Sequence, residues 1–149
     1  MKEIIILVAI IISLYVLMPN SDASIFDSEI IQSTITTEEG TDMNLDIAPD
    51  GQTILFDLLG QVFTIPAGGG EAVQLTEGMA WNSGAVFSPD GTKIAYLSDA
   101  GGITNIWLMD VNGNDKHKLT DEKIIGFRTG LEWHPDGRAL LANRKIYYL

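Results

Sequence analysis

Apolar, aromatic and β-branched residues in this chain fall into short runs, and turns rich in Gly, Pro, Asn and Asp separate them. Runs bounded in this way read as β-strands. The pattern gives a first strand at Ile30–Thr37. A group of four follows at Met43–Ala48, Thr53–Leu58, Gln61–Pro66 and Glu71–Thr76. The same order returns at Ala85–Ser88, Lys93–Ser98, Asn105–Asp110 and Lys116–Thr120. It begins a third time at Leu131–His134, Ala139–Ala142 and Lys145–Leu149. In every group the first two strands are joined by one tripeptide: Pro49-Asp50-Gly51, Pro89-Asp90-Gly91 and Pro135-Asp136-Gly137. Proline presets φ for the first central position of a tight turn, Asp suits the second, and Gly takes the left-handed position after it. These nine residues are therefore structural turn positions.

The three aspartates stand 40 and 46 positions apart, a period that belongs to propeller blades or helical solenoids. Strand-rich content selects the propeller. Aligned columns extend the repeat beyond its turns: Ile47, Phe87 and Trp133; Ile54, Ile94 and Leu140; Val62, Ile106 and Ile146; Phe63, Trp107 and Tyr147. Neighbours in the third strand, such as Ile106 and Trp107, are both apolar. Successive side chains of a strand point to opposite faces, so both faces are buried, as in sheets stacked around an axis. The fold class is all-β: a partial β-propeller of about two and a half four-stranded antiparallel blades plus an N-terminal orphan strand. Blade 1 spans 43–76, blade 2 spans 85–120 and a partial blade 3 spans 131–149. At the open end of such a stack, Ile146 and Tyr147 should be exposed.

Ser88-Pro89-Asp90-Gly91-Thr92-Lys93-Ile94-Ala95-Tyr96, Asn105-Ile106-Trp107-Leu108-Met109-Asp110, Asn112-Gly113 and Leu119-Thr120 together resemble the TolB-type, WD-like β-propeller repeat. The resemblance covers nearly everything from Ile30 to Leu149. Ile54–Gly60 and Leu75–Trp81 are similar to the propellers at the N-terminus of secreted amidohydrolase-like proteins. That similarity implies a metal-binding hydrolase domain downstream, outside this chain.

The orphan strand has its own logic. Ile35-Thr36 aligns with Leu75-Thr76 and Leu119-Thr120, the last strand of each repeat, and no earlier strand of its repeat precedes it. It is expected to supply the outer strand of a final blade whose inner strands lie elsewhere. In their absence it should be unpaired or loosely held beside blade 1.

Residues 1–23 are a different material. Lys2 precedes an apolar run from Ile4 to Met18, and Ser21-x-Ala23 supplies small residues at the positions where signal peptides are cut. The run is shorter than the roughly 20 residues a membrane span needs. Residues 1–23 are thus expected to be a signal peptide cut after Ala23, with 24–29 a linker and a retained membrane anchor as the alternative. The localisation that follows is periplasmic or secreted.

Charge narrows the partners. Nine Lys and Arg against 20 Asp and Glu give a net charge of −11, which argues against nucleic acid and against an anionic membrane surface. A protein partner remains, either the parent's own downstream domain or another periplasmic protein. With no cysteine there is no disulfide framework and no thiolate site.

Catalytic chemistry finds little to work with. His117 and His134 are too few for a hydrolytic metal site, which needs three or more converging ligands. Asp110–Asp115 has the outline of a calcium loop, but Asp115 stands where Gly is required and Asp121 where a bidentate Glu belongs. Asn112-Gly113 reads better as a hairpin turn. No Gly-x-Ser-x-Gly elbow occurs. No catalytic residue, metal ligand or cofactor is therefore assigned to the chain. Of the three tryptophans, Trp107 and Trp133 sit in core columns. Trp81 lies in the connection between blades, where propellers present contacts at a rim, and is the candidate interaction residue. The expected function is a non-catalytic propeller module acting in protein interaction or gating a neighbouring domain. The alternative is the N-terminal part of a metal-dependent amidohydrolase whose catalytic domain lies outside the chain.

Overall fold

A computed structural model describes residues 4–10, 31–37, 43–121, 130–142 and 145–149. The expected cut after Ala23 and the linker 24–29 lie outside the described residues. Among the described residues the strands follow in order: β1 Ile4–Ile10, β2 Ile31–Thr37, β3 Leu45–Ile47, β4 Thr53–Leu58, β5 Gln61–Pro66, β6 Val73–Gln74, β7 Asn82–Phe87, β8 Lys93–Ser98, β9 Asn105–Asp110, β10 His117–Lys118, β11 Glu132–Trp133, β12 Ala139–Ala142 and β13 Lys145–Tyr148. Strands β3–β6 form blade 1, β7–β10 blade 2 and β11–β13 blade 3, each antiparallel and in sequence order. The expected all-β partial propeller is what the chain forms.

The orphan strand has a partner that the repeat pattern does not announce. β2 pairs antiparallel with β1, Ile4 opposite Thr37 through Ile10 opposite Ile31, in a sheet of its own. Both are rich in β-branched residues, and each supplies the other's backbone donors and acceptors along the shared edge. The pairing belongs to the chain with its first residues in place, and a cut after Ala23 would remove β1.

Blades stack face to face, and the alternation along each strand decides which residue meets which neighbour. Leu55, Val62 and Leu75 of blade 1 pack against Ala85, Phe87, Ile94, Tyr96 and Met109 of blade 2. Ala95, Leu97, Ile106 and Leu108, on the opposite face of blade 2, pack against Leu131, Leu140 and Ala142 of blade 3. Both faces of blade 2 are thus core, and burying a side chain such as Leu55, Ile94 or Ile106 stabilises by about 1.5–3 kcal/mol each. On the far side of blade 1, Phe56 and Phe63 stack with ring centroids 5.4 Å apart and are themselves buried.

One sequence expectation fails at the far side of blade 3, where Ile146 and Tyr147 are not exposed together. Adjacent strand residues face opposite ways, so Tyr147 packs against the blade 2 contact, while Tyr148 shares the open face with Ile146.

Polar contacts stitch the blades as well. A β-bulge between Ser83 and Val86 sets Gly84 at φ 60° and turns its N–H onto the Asp57 carboxylate of blade 1, 2.6 Å away. Asp57 also accepts from the Asn44 backbone N–H at 3.0 Å and from Asn44 Nδ2 at 2.8 Å. The Phe87 N–H donates to Asp46 Oδ2 at 2.7 Å, again from blade 2 to blade 1. Between blades 2 and 3, the Trp133 indole N–H donates to the Val86 carbonyl at 3.3 Å.

Candidate functional site

Strand direction alternates within a blade. The Pro-Asp-Gly turns and the turns between third and fourth strands therefore share one rim. The turns between second and third strands share the opposite rim with the connections between blades.

At the first rim the three turns are copies of one structure. The Gly51, Gly91 and Gly137 N–H groups each donate at 2.8 Å to the carbonyl three residues back, and their φ values are 70°, 69° and 73°. Asp50, Asp90 and Asp136 each accept from the backbone N–H two residues on, at 2.9, 3.0 and 2.9 Å. Asp90 has further donors, the Ser88 hydroxyl at 2.6 Å and the Thr92 hydroxyl at 2.9 Å. The Ser88 bond, followed by the Thr92 N–H, holds its pKa down at about 2. Asp136 is lowered chiefly by the Arg138 N–H, with the His134 ring, whose Nδ1 lies 2.7 Å from Asp136 Oδ1, contributing as well. These carboxylates spend their lone pairs inside their own turns. Each tripeptide also leans on its neighbour: a Cβ built on Gly91 would lie 3.5 Å from Cδ of Pro49, and one on Gly137 would lie 4.0 Å from Cδ of Pro89.

The other chemical candidates are likewise local. His117 and His134 are exposed, and His117 Nδ1 lies 2.7 Å from the Asp115 carbonyl. Asp110 accepts the Asn112 and Asn114 N–H groups at 2.8 Å, which closes the loop as a turn and lowers the Asp110 pKa, first through Asn114. No group of three or more His, Asp or Glu converges as a metal site among the described residues.

The opposite rim holds Trp81 and differs in character. Trp81 is 62% exposed, although its backbone is fixed on both sides. Its N–H donates to Asp99 Oδ1 at 2.7 Å, and its carbonyl accepts from the Asp99 N–H at 3.4 Å. The next residue, Asn82, is buried. It bonds the Gly60 carbonyl through its backbone N–H at 2.9 Å and the Ala80 carbonyl through Nδ2 at 3.0 Å. Gln61 Nε2 reaches the Gly78 and Ala80 carbonyls, each at 3.2 Å. The indole lies on Gly60 so closely that a Cβ there would come within 2.9 Å of Cε3. Only glycine leaves room for it.

Two residues that sequence reasoning does not single out stand beside Trp81. Met79 is 90% exposed on the pinned loop, and Leu59 is 58% exposed in the two-residue turn before Gly60. Leu59 adopts φ 53°, which costs a residue with a Cβ about 1–2 kcal/mol. The available signal is the turn length: a two-residue hairpin of type I′ demands positive φ at both positions, and Asn-Gly meets that demand where Leu-Gly strains. A strained exposed leucine, an exposed methionine and a tryptophan held from behind form an apolar, preorganised surface.

Comparison with known proteins addresses the fold. No protein-family model matches the chain. The Tol-Pal system protein TolB of Anaeromyxobacter dehalogenans (strain 2CP-C) is 40% identical over 42 residues, 28% of this chain and 10% of that protein. A TolB homologue of Protochlamydia amoebophila is 41% identical over 54 residues, 36% of this chain and 12% of its own length. A solved structure from Agrobacterium tumefaciens, described as a putative TolB, aligns with 76% of this chain and 43% of its own at a TM-score of 0.62 and 20% identity. The fold is that of a TolB-like β-propeller. The TolB-like blades here match the curated relatives over about a tenth of those proteins' lengths. The amidohydrolase-like similarity of Ile54–Gly60 and Leu75–Trp81 is not carried by these comparisons.

Proposed function

We propose that this TolB-like propeller is a non-catalytic protein-interaction module of a periplasmic or secreted protein, and that its contact surface is the rim bearing Leu59, Met79 and Trp81. The observation that carries this reading is the pinned loop. Stability alone gives no reason to fix Trp81 through Asp99, Asn82 and Gln61 while leaving its indole and the whole of Met79 in water. Preorganised aromatic and methionine side chains are what protein interfaces use as anchors. The TolB relatives support the periplasmic setting, and the apolar Ile4–Met18 run supports export. The partner is another protein of that compartment, and gating of a neighbouring domain would use the same rim.

Site-specific photo-crosslinking in the cell envelope tests the reading. A benzophenone amino acid at Met79 should give a discrete adduct with a second protein, and Trp81→Ala in the same chain should reduce it at least several-fold. The same probe at Gln52, on the Pro-Asp-Gly rim, should give none. Equal labelling from both rims, or an adduct indifferent to Trp81→Ala, would overturn it.

A further inference from the structure

Trp81 turns one face to the protein and the other to water. A Cβ built on Gly60 would lie 2.9, 3.1 and 3.4 Å from Cε3, Cδ2 and Cζ3 of the indole. Three successive ring atoms at such similar distances place that Cβ above the ring plane. An approach along the ring edge would leave two of them much farther away than the third. Gly60 therefore covers one face, and the 62% exposure of the side chain belongs to the other. With its backbone bonded to Asp99 on both sides, the ring is a fixed platform with one free face.

The unpaired charge around this platform is of one sign. Asp99 gives Oδ1 to the Trp81 N–H, and among the described residues its Oδ2 accepts no hydrogen bond. Asp50, Asp90 and Asp136 on the opposite rim differ, since donors of their own turns occupy them. Glu77 is a second exposed carboxylate, on the loop that carries Met79 and Trp81. Among the described residues of blades 1 and 2, the basic side chain of this rim is Lys118. Its Nζ lies 4.0 Å from where a Cβ on Gly101 would stand, and Asp121 holds it at 2.7 Å. An aromatic face beside carboxylates, in a chain of net charge −11, is suited to a cation.

Resting on the reading of this rim as a protein interface, we infer that the platform takes an arginine of the partner, carried between apolar side chains. The guanidinium stacks on the free face of Trp81 and donates to Asp99 Oδ2, with Glu77 adding to the attraction. Arginine suits the place better than lysine, because its planar, weakly hydrated head stacks on aromatic rings while its N–H groups reach carboxylates. Met79 and Leu59, 90% and 58% exposed, receive the apolar neighbours. A saccharide would also stack on an indole, but it carries no charge to meet the carboxylates.

The indole N–H resonance of Trp81 in the full chain, assigned by its loss in Trp81→Phe, reads the contact directly. The probe is a capped leucine–arginine–leucine peptide, and the control carries citrulline, which keeps the shape of arginine without its charge. The arginine peptide should shift the resonance saturably, and the citrulline peptide should bind about tenfold more weakly. Asp99→Asn keeps an oxygen for the Trp81 N–H and Glu77→Gln alters an exposed side chain, so both should melt like the parent. Each should weaken the arginine peptide by about threefold. Equal affinity for the two peptides, no saturable shift, or a shift with chitotriose alone would overturn the inference. The photo-adduct from Met79 separates this contact from the interface itself. An adduct that needs Trp81 but ignores the combined Glu77→Gln and Asp99→Asn substitutions overturns the arginine contact and leaves the interface standing. Selective titration without any adduct supports the arginine contact and removes the interface.

Discussion

Gly91 answers one demand, a φ of 69°; the Pro49 ring beside it would leave a Cβ in ordinary contact at 3.5 Å. A β-branched residue is strained in that region by about 1–3 kcal/mol. Gly91→Val should therefore lower the denaturation midpoint of the chain, and an unchanged midpoint would show that the turn is assigned wrongly. At this scale the sequence is legible wherever a conformational demand restricts the residue type, as in the three tripeptides. Leu59 escapes because its positive φ comes from turn length, and leucine itself says nothing about backbone angle. Met79 escapes because exposure depends on what surrounds a loop, which composition does not record. Trp107 shows a finer limit: its column is packed as expected, yet its indole nitrogen is buried with no hydrogen-bond partner.

Among the elements, the second and third strands fall where the hydrophobic pattern places them: Thr53–Leu58, Gln61–Pro66, Lys93–Ser98, Asn105–Asp110 and Ala139–Ala142. Outer strands are shorter than the pattern suggests, Val73–Gln74 in place of Glu71–Thr76 and His117–Lys118 in place of Lys116–Thr120. The reason is a side-chain clasp. Thr76 Oγ1 accepts the Val62 N–H at 2.8 Å and donates to Gln61 Oε1 at 2.8 Å. Thr120 repeats this with the Ile106 N–H at 3.0 Å and Asn105 Oδ1 at 2.9 Å. The Leu-Thr pair thus ends each regular ladder by substituting a hydroxyl for a backbone acceptor. Removing that hydroxyl strands a buried N–H, a cost of about 1–3 kcal/mol. Thr76→Val should show that loss in thermal unfolding and Thr76→Ser should recover most of it; equal stability of the two variants would deny the clasp. Strand β7 runs the other way, longer than the pattern suggests, because the bulge at Gly84 lets Asn82-Ser83 join a ladder that their composition assigns to a loop.

For the whole molecule, the repeat is legible because periodic turns and two-sided hydrophobicity reinforce each other three times over. Pairing of β1 with β2 is not, since each strand alone reads as a leader or an orphan. Among the described residues no group of three or more His, Asp or Glu converges. The purified chain should turn over neither amide nor ester substrates, with or without added zinc. Metal-dependent turnover that survives removal of contaminants would refute that. The Pro-on-Gly stacking has a further consequence, for where this architecture tolerates change. Between first and second strands the chain allows the same interval in all three blades, Ala48–Gln52, Ser88–Thr92 and His134–Arg138. Between β5 and β6 and between β9 and β10 the intervals also agree, at 67–72 and 111–116. The opposite rim is where the length varies among the described residues: 59–60 grows to 99–104 in the next blade. One rim is held in step by rings leaning on glycines, like the teeth of a gear. Novelty in length and sequence can accumulate on the other, where Trp81 stands, without disturbing the stack beneath it.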